Sequence, residues 1–71
     1  MTASDFAAWV ELMKGRDAKL SDVKLALLLG CSRNQIRFWQ ARDPGRTVGL
    51  ACTALAQGWG EWRPDPNKPA P

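Results

Sequence analysis

The positively charged side chains of this sequence are concentrated in its middle third. Five cations against the single acid Asp43 give residues 24–46 a net charge of +4, whereas the whole chain carries +3. These cations are Lys24, Arg33, Arg37, Arg42 and Arg46. A localised basic surface attracts polyanions, although the same charges could also form an ordinary solvated face. The charge pattern therefore indicates a nucleic acid or another polyanion as one possible partner.

Residue types that commonly carry catalysis or bind metals are scarce. The chain has no histidine, which is the most common general base and metal ligand, and no tyrosine. Its two cysteines, Cys31 and Cys52, are too few for a disulfide framework, and without histidine they cannot close a metal site. We interpret both as small buried apolar residues. The sequence therefore favours a binding module, and we expect no enzymatic activity, cofactor, metal or small-molecule ligand.

The length allows one small domain with a marginal core, because the chain has 71 residues. Its composition of 45% apolar and 24% charged residues is typical of a globular protein. No run of about 18 apolar residues and no basic-then-apolar leader occurs, so we expect no membrane association and a cytoplasmic location. We assign residues 1–63 to the domain and residues 64–71, half of them proline, to a flexible tail.

Apolar periodicity and capping residues predict an all-α fold, a compact bundle of four to five helices. The first helix begins at Thr2, which forms a capping box with Asp5, and ends at Gly15 in a left-handed conformation. Phe6, Trp9, Val10 and Met13 form its apolar stripe. We expect a fourth helix to be capped by Thr47, with Val48, Ala51, Cys52 and Leu55 facing inward.

Two short helices between these are separated by only three residues. Ser21 caps the second helix, Gly30 closes it, and Ser32 caps the third. A connection as tight as Gly30-Cys31-Ser32 forces the two helices to cross steeply, and the small side chain of Ala26 permits close contact. Leu25, Leu29, Cys31, Ile36 and Trp39 provide the apolar contacts.

The segment from Asp22 to Ala41, DVKLALLLGCSRNQIRFWQA, closely resembles the helix-turn-helix of the phage repressor and Cro (XRE-like) family. With the preceding and following helices, the resemblance covers roughly residues 3–58. It implies that the third helix enters the DNA major groove. A departure is Asp22, where many members of this family have glutamine.

The resemblance also implies roles for individual residues. It implies base reading by Arg33, Asn34, Arg37 and Phe38, and backbone contacts by Ser32, Gln35, Lys24, Arg42, Arg46 and Lys19. Arginine can bond guanine at O6 and N7, and asparagine can bond adenine at N6 and N7. Phe38 either touches a thymine methyl group or packs on the chain after Ala41.

The fourth helix is apolar or small almost all round, which indicates a further contact and favours a homodimer. We assign this contact to Leu50, Trp59 and Trp62. For the two tryptophans an alternative stays open, because they could instead close the bottom of the core.

These features predict a sequence-specific, double-stranded DNA-binding regulator of transcription. The resemblance suggests a small repressor or autorepressor of phage or mobile-element type, in a prokaryotic or phage-infected cell, that binds an inverted-repeat operator as a dimer. Two alternatives are a protein-interaction adaptor or antitoxin module that uses the Trp59 and Trp62 surface, and a phage DNA-packaging component.

Overall fold

The computed structural model describes residues 1–62 and 64, and over this range the chain forms four helices and no strand. They are α1 (Ala3–Arg16), α2 (Asp22–Leu29), α3 (Arg33–Phe38) and α4 (Arg46–Ala56). The predicted all-α class is confirmed, and the described residues form four helices, the lower of the two predicted numbers. Among the described residues, no helix has the length and apolar character needed to cross a bilayer. The tail predicted for residues 64–71 lies outside the described residues, except for Pro64.

α1 begins as the sequence predicts and ends differently. The Thr2 hydroxyl accepts a hydrogen bond from the Asp5 backbone N–H at 3.1 Å, and the Asp5 carboxylate accepts one from the Thr2 N–H at 3.2 Å. The predicted left-handed end at Gly15 is wrong, because the helix continues to Arg16. The N–H of Asp17 still donates to the Met13 carbonyl at 3.1 Å, and the chain then leaves the helix with an extended Asp17.

The core is formed mainly by one face of α1. The buried residues are Phe6, Trp9, Val10, Met13, Leu25, Ala26, Ile36 and Cys52. The ring of Phe6 lies 5.5 Å from that of Trp9 and 5.6 Å from that of Trp39. The Trp9 indole N–H donates to the Cys52 carbonyl at 3.0 Å and thereby joins α1 to α4. Each of the four helices therefore contributes at least one buried side chain to a single cluster.

α4 begins earlier than predicted. Its N-cap is Gly45 instead of Thr47, and no side chain caps it. Gly45 has a φ of 89°, a backbone conformation that threonine strongly disfavours. Its N–H donates to the Met1 carbonyl at 3.4 Å, so the N-terminus of the chain helps to fix where α4 starts.

Candidate nucleic-acid interface

The connection between α2 and α3 is a tight turn held by backbone hydrogen bonds. Gly30 is left-handed, with φ 72° and ψ 35°. Its N–H donates to the Leu27 carbonyl at 3.3 Å, and the Cys31 N–H donates to the Ala26 carbonyl at 2.9 Å. This pair of bonds is the Schellman arrangement, which ends a helix at a left-handed glycine. The chain reaches the N-cap of α3 two residues after Gly30, as the sequence predicts.

α3 is anchored by one buried side chain and is otherwise exposed. Ile36 is fully buried beneath the helix. The Ser32 hydroxyl caps the helix by accepting from the Gln35 backbone N–H at 3.3 Å. The exposed residues, which we call the α3 surface, are Arg33, Asn34, Gln35, Arg37 and Phe38. All four residues predicted to read bases are thus on the solvent side of the helix.

Further cations lie on the neighbouring elements. Lys24 is exposed in α2, Arg46 is exposed at the first residue of α4, and Lys19 is exposed between α1 and α2. Arg42 follows α3 and contacts it directly, with its guanidinium 5.7 Å from the centroid of the Phe38 ring. The structure therefore ties Arg42 to the α3 surface by a contact. For Lys19, Lys24 and Arg46 the structure shows exposure and a position in or between the helices, without a contact to the α3 surface.

Phe38 packs against the segment after Ala41, which is one of the two interpretations that the sequence left open. Arg42 packs over its ring from the segment after Ala41, at a distance typical of a cation–π contact. The Phe38 side chain nevertheless remains 52% exposed. Phe38 can thus hold Arg42 at the edge of α3 and still present an apolar edge to a partner.

An ion cluster that the sequence did not predict joins α1, α2 and α3. The Asp22 carboxylate lies 2.9 Å from Lys14 Nζ and 3.9 Å from Arg37 Nε. Asp22 is partly buried, whereas Arg37 is largely exposed. The nearby carboxylate offsets part of the positive charge of Arg37. Lys14 and Asp22 are eight positions apart in the chain, and this spacing alone does not predict the pair.

The two thiols pack as apolar groups. Burial raises the pKa of Cys52 to about 11, with a smaller contribution from Cys31, and burial also raises the pKa of Cys31. Both thiols are therefore protonated at neutral pH, which makes them poor nucleophiles and poor metal ligands. Within residues 1–62 and 64, no group of three or more His, Cys, Asp or Glu side chains is arranged to hold a metal ion.

A second surface is formed by the end of α2, by α4 and by the segment after it. It encloses a groove of about 460 Å³, which we call the C-terminal groove. Trp59 and Trp62 line it and are 65% and 84% exposed, so they do not close the core. Leu50 is also exposed, but it is not among the residues that line the groove.

Comparisons with protein-family models, with curated proteins and with solved structures find no match to this chain. Its function is therefore inferred from its own residues and their arrangement.

Proposed function

We propose that this chain is a sequence-specific double-stranded DNA-binding regulator, in which α2 and α3 act as a helix-turn-helix and α3 enters the major groove. The α3 surface is the observation that carries the proposal. Five of the six residues of α3 are exposed, and only Ile36 is buried. A short helix with one apolar anchor and an outer face of arginine, asparagine and glutamine is suited to a polar, negatively charged partner.

We assign base recognition to Arg33 and Asn34 in the first turn of α3 and to Phe38, the last residue of α3. Arg33 can donate two hydrogen bonds to guanine O6 and N7, and Asn34 can pair with adenine N6 and N7. Phe38 offers an apolar contact to a thymine methyl group. The Asp22 carboxylate lies 3.9 Å from Arg37 Nε and offsets part of its positive charge, so we assign Arg37 a weaker contact to DNA than Arg33.

The backbone contacts are assigned to the cations around α3. Lys24, Arg42, Arg46 and Lys19 would neutralise phosphates, and each neutralised phosphate releases counterions, so binding should weaken steeply as salt rises. Ser32 sits at the helix cap, where a phosphate could approach. The backbone N–H of Gln35 already donates to Ser32, so Gln35 would contact DNA through its side-chain amide.

A homodimer is part of the same proposal. One reading helix covers only about 4–5 base pairs, too few to select one site in a genome. Two copies related by a twofold axis would read an inverted repeat with half-site centres about 10 base pairs apart. By occupying this operator, such a dimer would act as a repressor, and its own concentration would regulate it.

Selection from a pool of random duplexes tests the proposal. The protein should enrich one shared, inverted-repeat sequence, and its affinity for that sequence should fall steeply with salt concentration. The matched control is Arg33→Lys, which keeps the charge but loses the planar fork that pairs with guanine. It should retain binding to random DNA and lose most of the preference for the selected site. Enrichment of no sequence at low salt would contradict the proposal.

The C-terminal groove favours a second candidate, a protein-interaction adaptor. Two tryptophans that are 65% and 84% exposed are uncommon on a monomer surface and often mark a partner site. The salt experiment separates the two candidates, because an adaptor that acts through an apolar groove should show little or no salt-dependent DNA binding.

A further inference from the structure

The C-terminal groove has two apolar walls that face each other. One wall is the end of α2, where Leu27 is 76% and Leu28 49% exposed. The other wall follows α4 and contains Trp59 and Trp62, with exposures of 65% and 84%. Ala51, Ala54 and Leu55 line the space of about 460 Å³ between them. Half of the eight large apolar side chains that are exposed in the described part of the chain therefore line one groove.

Backbone hydrogen bonds fix the end of α2 and the position of Trp59. α2 ends at Gly30 with the bonds described above, and α4 ends in the same way. Gly58 has a φ of 80°, its N–H donates to the Leu55 carbonyl at 3.1 Å, and the Trp59 N–H donates to the Ala54 carbonyl at 2.8 Å. These bonds hold Trp59 against the end of α4 in a defined position. The end of α2 and Trp59 are thus held in place by the fold.

The exposed apolar area matches a small dimer interface. An aromatic side chain carries roughly 200 Å² of surface, so the exposed parts of the two indoles amount to roughly 300 Å². The two leucines add on the order of 100 Å². Because interfaces are about 60% apolar, roughly 400 Å² of apolar surface corresponds to about 650 Å² for each partner. The total of about 1,300 Å² lies at the lower end of the range for specific complexes.

The charge distribution also favours a second copy at this surface. Among the described residues no lysine or arginine lines the groove, and Glu61 is the one charged residue in its described lining. The α3 surface contains two arginines and would repel its own copy. A contact through the groove brings together two surfaces that each have Glu61 as the one charge among their described lining residues, and it covers no residue of α3.

We propose that the occupant of the C-terminal groove is a second copy of this chain, in a twofold contact in which Trp62 of each copy inserts between the Leu27 and Trp59 walls of the other. The contact is isologous, so each copy provides one groove and one inserted indole. The biological role of this dimer rests on the proposed function. This arrangement places the dimer contact at the two tryptophans and α2, and it leaves Leu50 outside.

Sedimentation of the full chain without DNA tests the contact. Because the interface is small, we expect a monomer–dimer equilibrium with a dissociation constant on the order of micromolar. Trp62→Ala and Leu27→Ala should each weaken the dimer at least tenfold. Both residues are highly exposed, so circular dichroism should show that the variants keep the fold. Leu50→Ala is the matched control, since it removes an exposed leucine outside the groove, and it should leave the dimer unchanged.

Three results would overturn the proposal. The first is a wild-type protein that stays monomeric at concentrations up to about a hundredfold above the expected dissociation constant. The second is a Trp62→Ala variant that dimerises as the wild type does. The third is a Leu50→Ala variant whose dimer is weakened as much as we expect for Trp62→Ala. Binding to a duplex with a single half-site at low salt is measured in parallel. A dimer that binds no DNA would refute the proposed DNA binding and leave the contact standing. A monomer that binds DNA would refute the contact and the proposed homodimer, and it would leave DNA binding by α3 standing.

Discussion

Replacing Gly30 with alanine should destabilise the domain by about 1 kcal/mol. A Cβ at this position would have no atom within 4 Å apart from its chain neighbours, so steric contact with the core contributes nothing. The penalty comes from the φ of 72°, a left-handed conformation that costs an L-residue roughly 1–2 kcal/mol. The reduced entropy of the unfolded chain offsets about 0.4–1 kcal/mol of this. Gly30→Val should lose roughly 2 kcal/mol or more, because a branched side chain tolerates this φ less well.

Gly15→Ala is the matched control. Gly15 also has open space around its Cβ position, but it lies in the last turn of α1 and has no positive φ. Alanine should therefore stabilise the helix there by up to about 1 kcal/mol. Thermal unfolding followed by circular dichroism measures both, since 1 kcal/mol shifts the Tm of a domain of this size by about 4–8 °C. A Gly30→Ala variant as stable as the wild type, together with a stabilised Gly15→Ala, would refute the left-handed turn between α2 and α3.

Four further outcomes are expected. Asn34→Ala should cost about 1–3 kcal/mol on the selected DNA site and little on random duplexes, as measured by fluorescence anisotropy. Arg46→Ala should weaken binding about equally on all sequences and reduce the slope of log affinity against log salt by about one. Because burial raises the pKa of Cys52 to about 11, alkylation of the native protein at about pH 8 should modify the more exposed Cys31 first, as detected by mass spectrometry. Hydrogen bonds from the backbone and hydroxyl of Thr2 hold the pKa of Asp5 below 3.8. The stability that the Asp5 carboxylate provides is therefore present above about pH 4 and lost below it. Asp5→Asn should remove this part of the pH dependence of stability, as measured by denaturation curves.

Local signals in the sequence predicted most of the helix boundaries. Thr2, Ser21 and Ser32 each accept the hydrogen bond expected of an N-cap, and Gly30 adopts the left-handed conformation expected at the end of α2. Each of these signals acts over a few residues, through a side chain or a φ value that the residue type determines. The α3 surface was predictable for the same reason, because Ile36 fixes which side of a short helix faces the core.

The error at the start of α4 occurred where distant parts of the chain compete with such signals. The start of α4 depends on Met1, whose carbonyl accepts from Gly45, and on Asp43, whose carboxylate accepts from the Ala3 N–H at 2.7 Å. These bonds join residues about forty positions apart, and they place the start of α4 ahead of Thr47, the residue that the sequence favoured as the cap.

The contacts that refine the candidate site were equally non-local. The ion pairs of Asp22 and the groove between α2 and the two tryptophans depend on how helices pack, and neither has a spacing that a sequence reveals. The apolar run at the end of α2 could not show that Leu27 faces solvent beside Trp59.

NMR can show whether α3 and its flanking cations form a DNA-binding surface. Backbone amide shifts of the isotope-labelled protein are recorded while a short duplex is added at low salt. We expect the largest changes at residues 32–38, smaller ones at Lys24, Arg42 and Arg46, and little change at Trp59. Changes concentrated at the C-terminal groove, or no changes with equimolar DNA, would contradict this expectation.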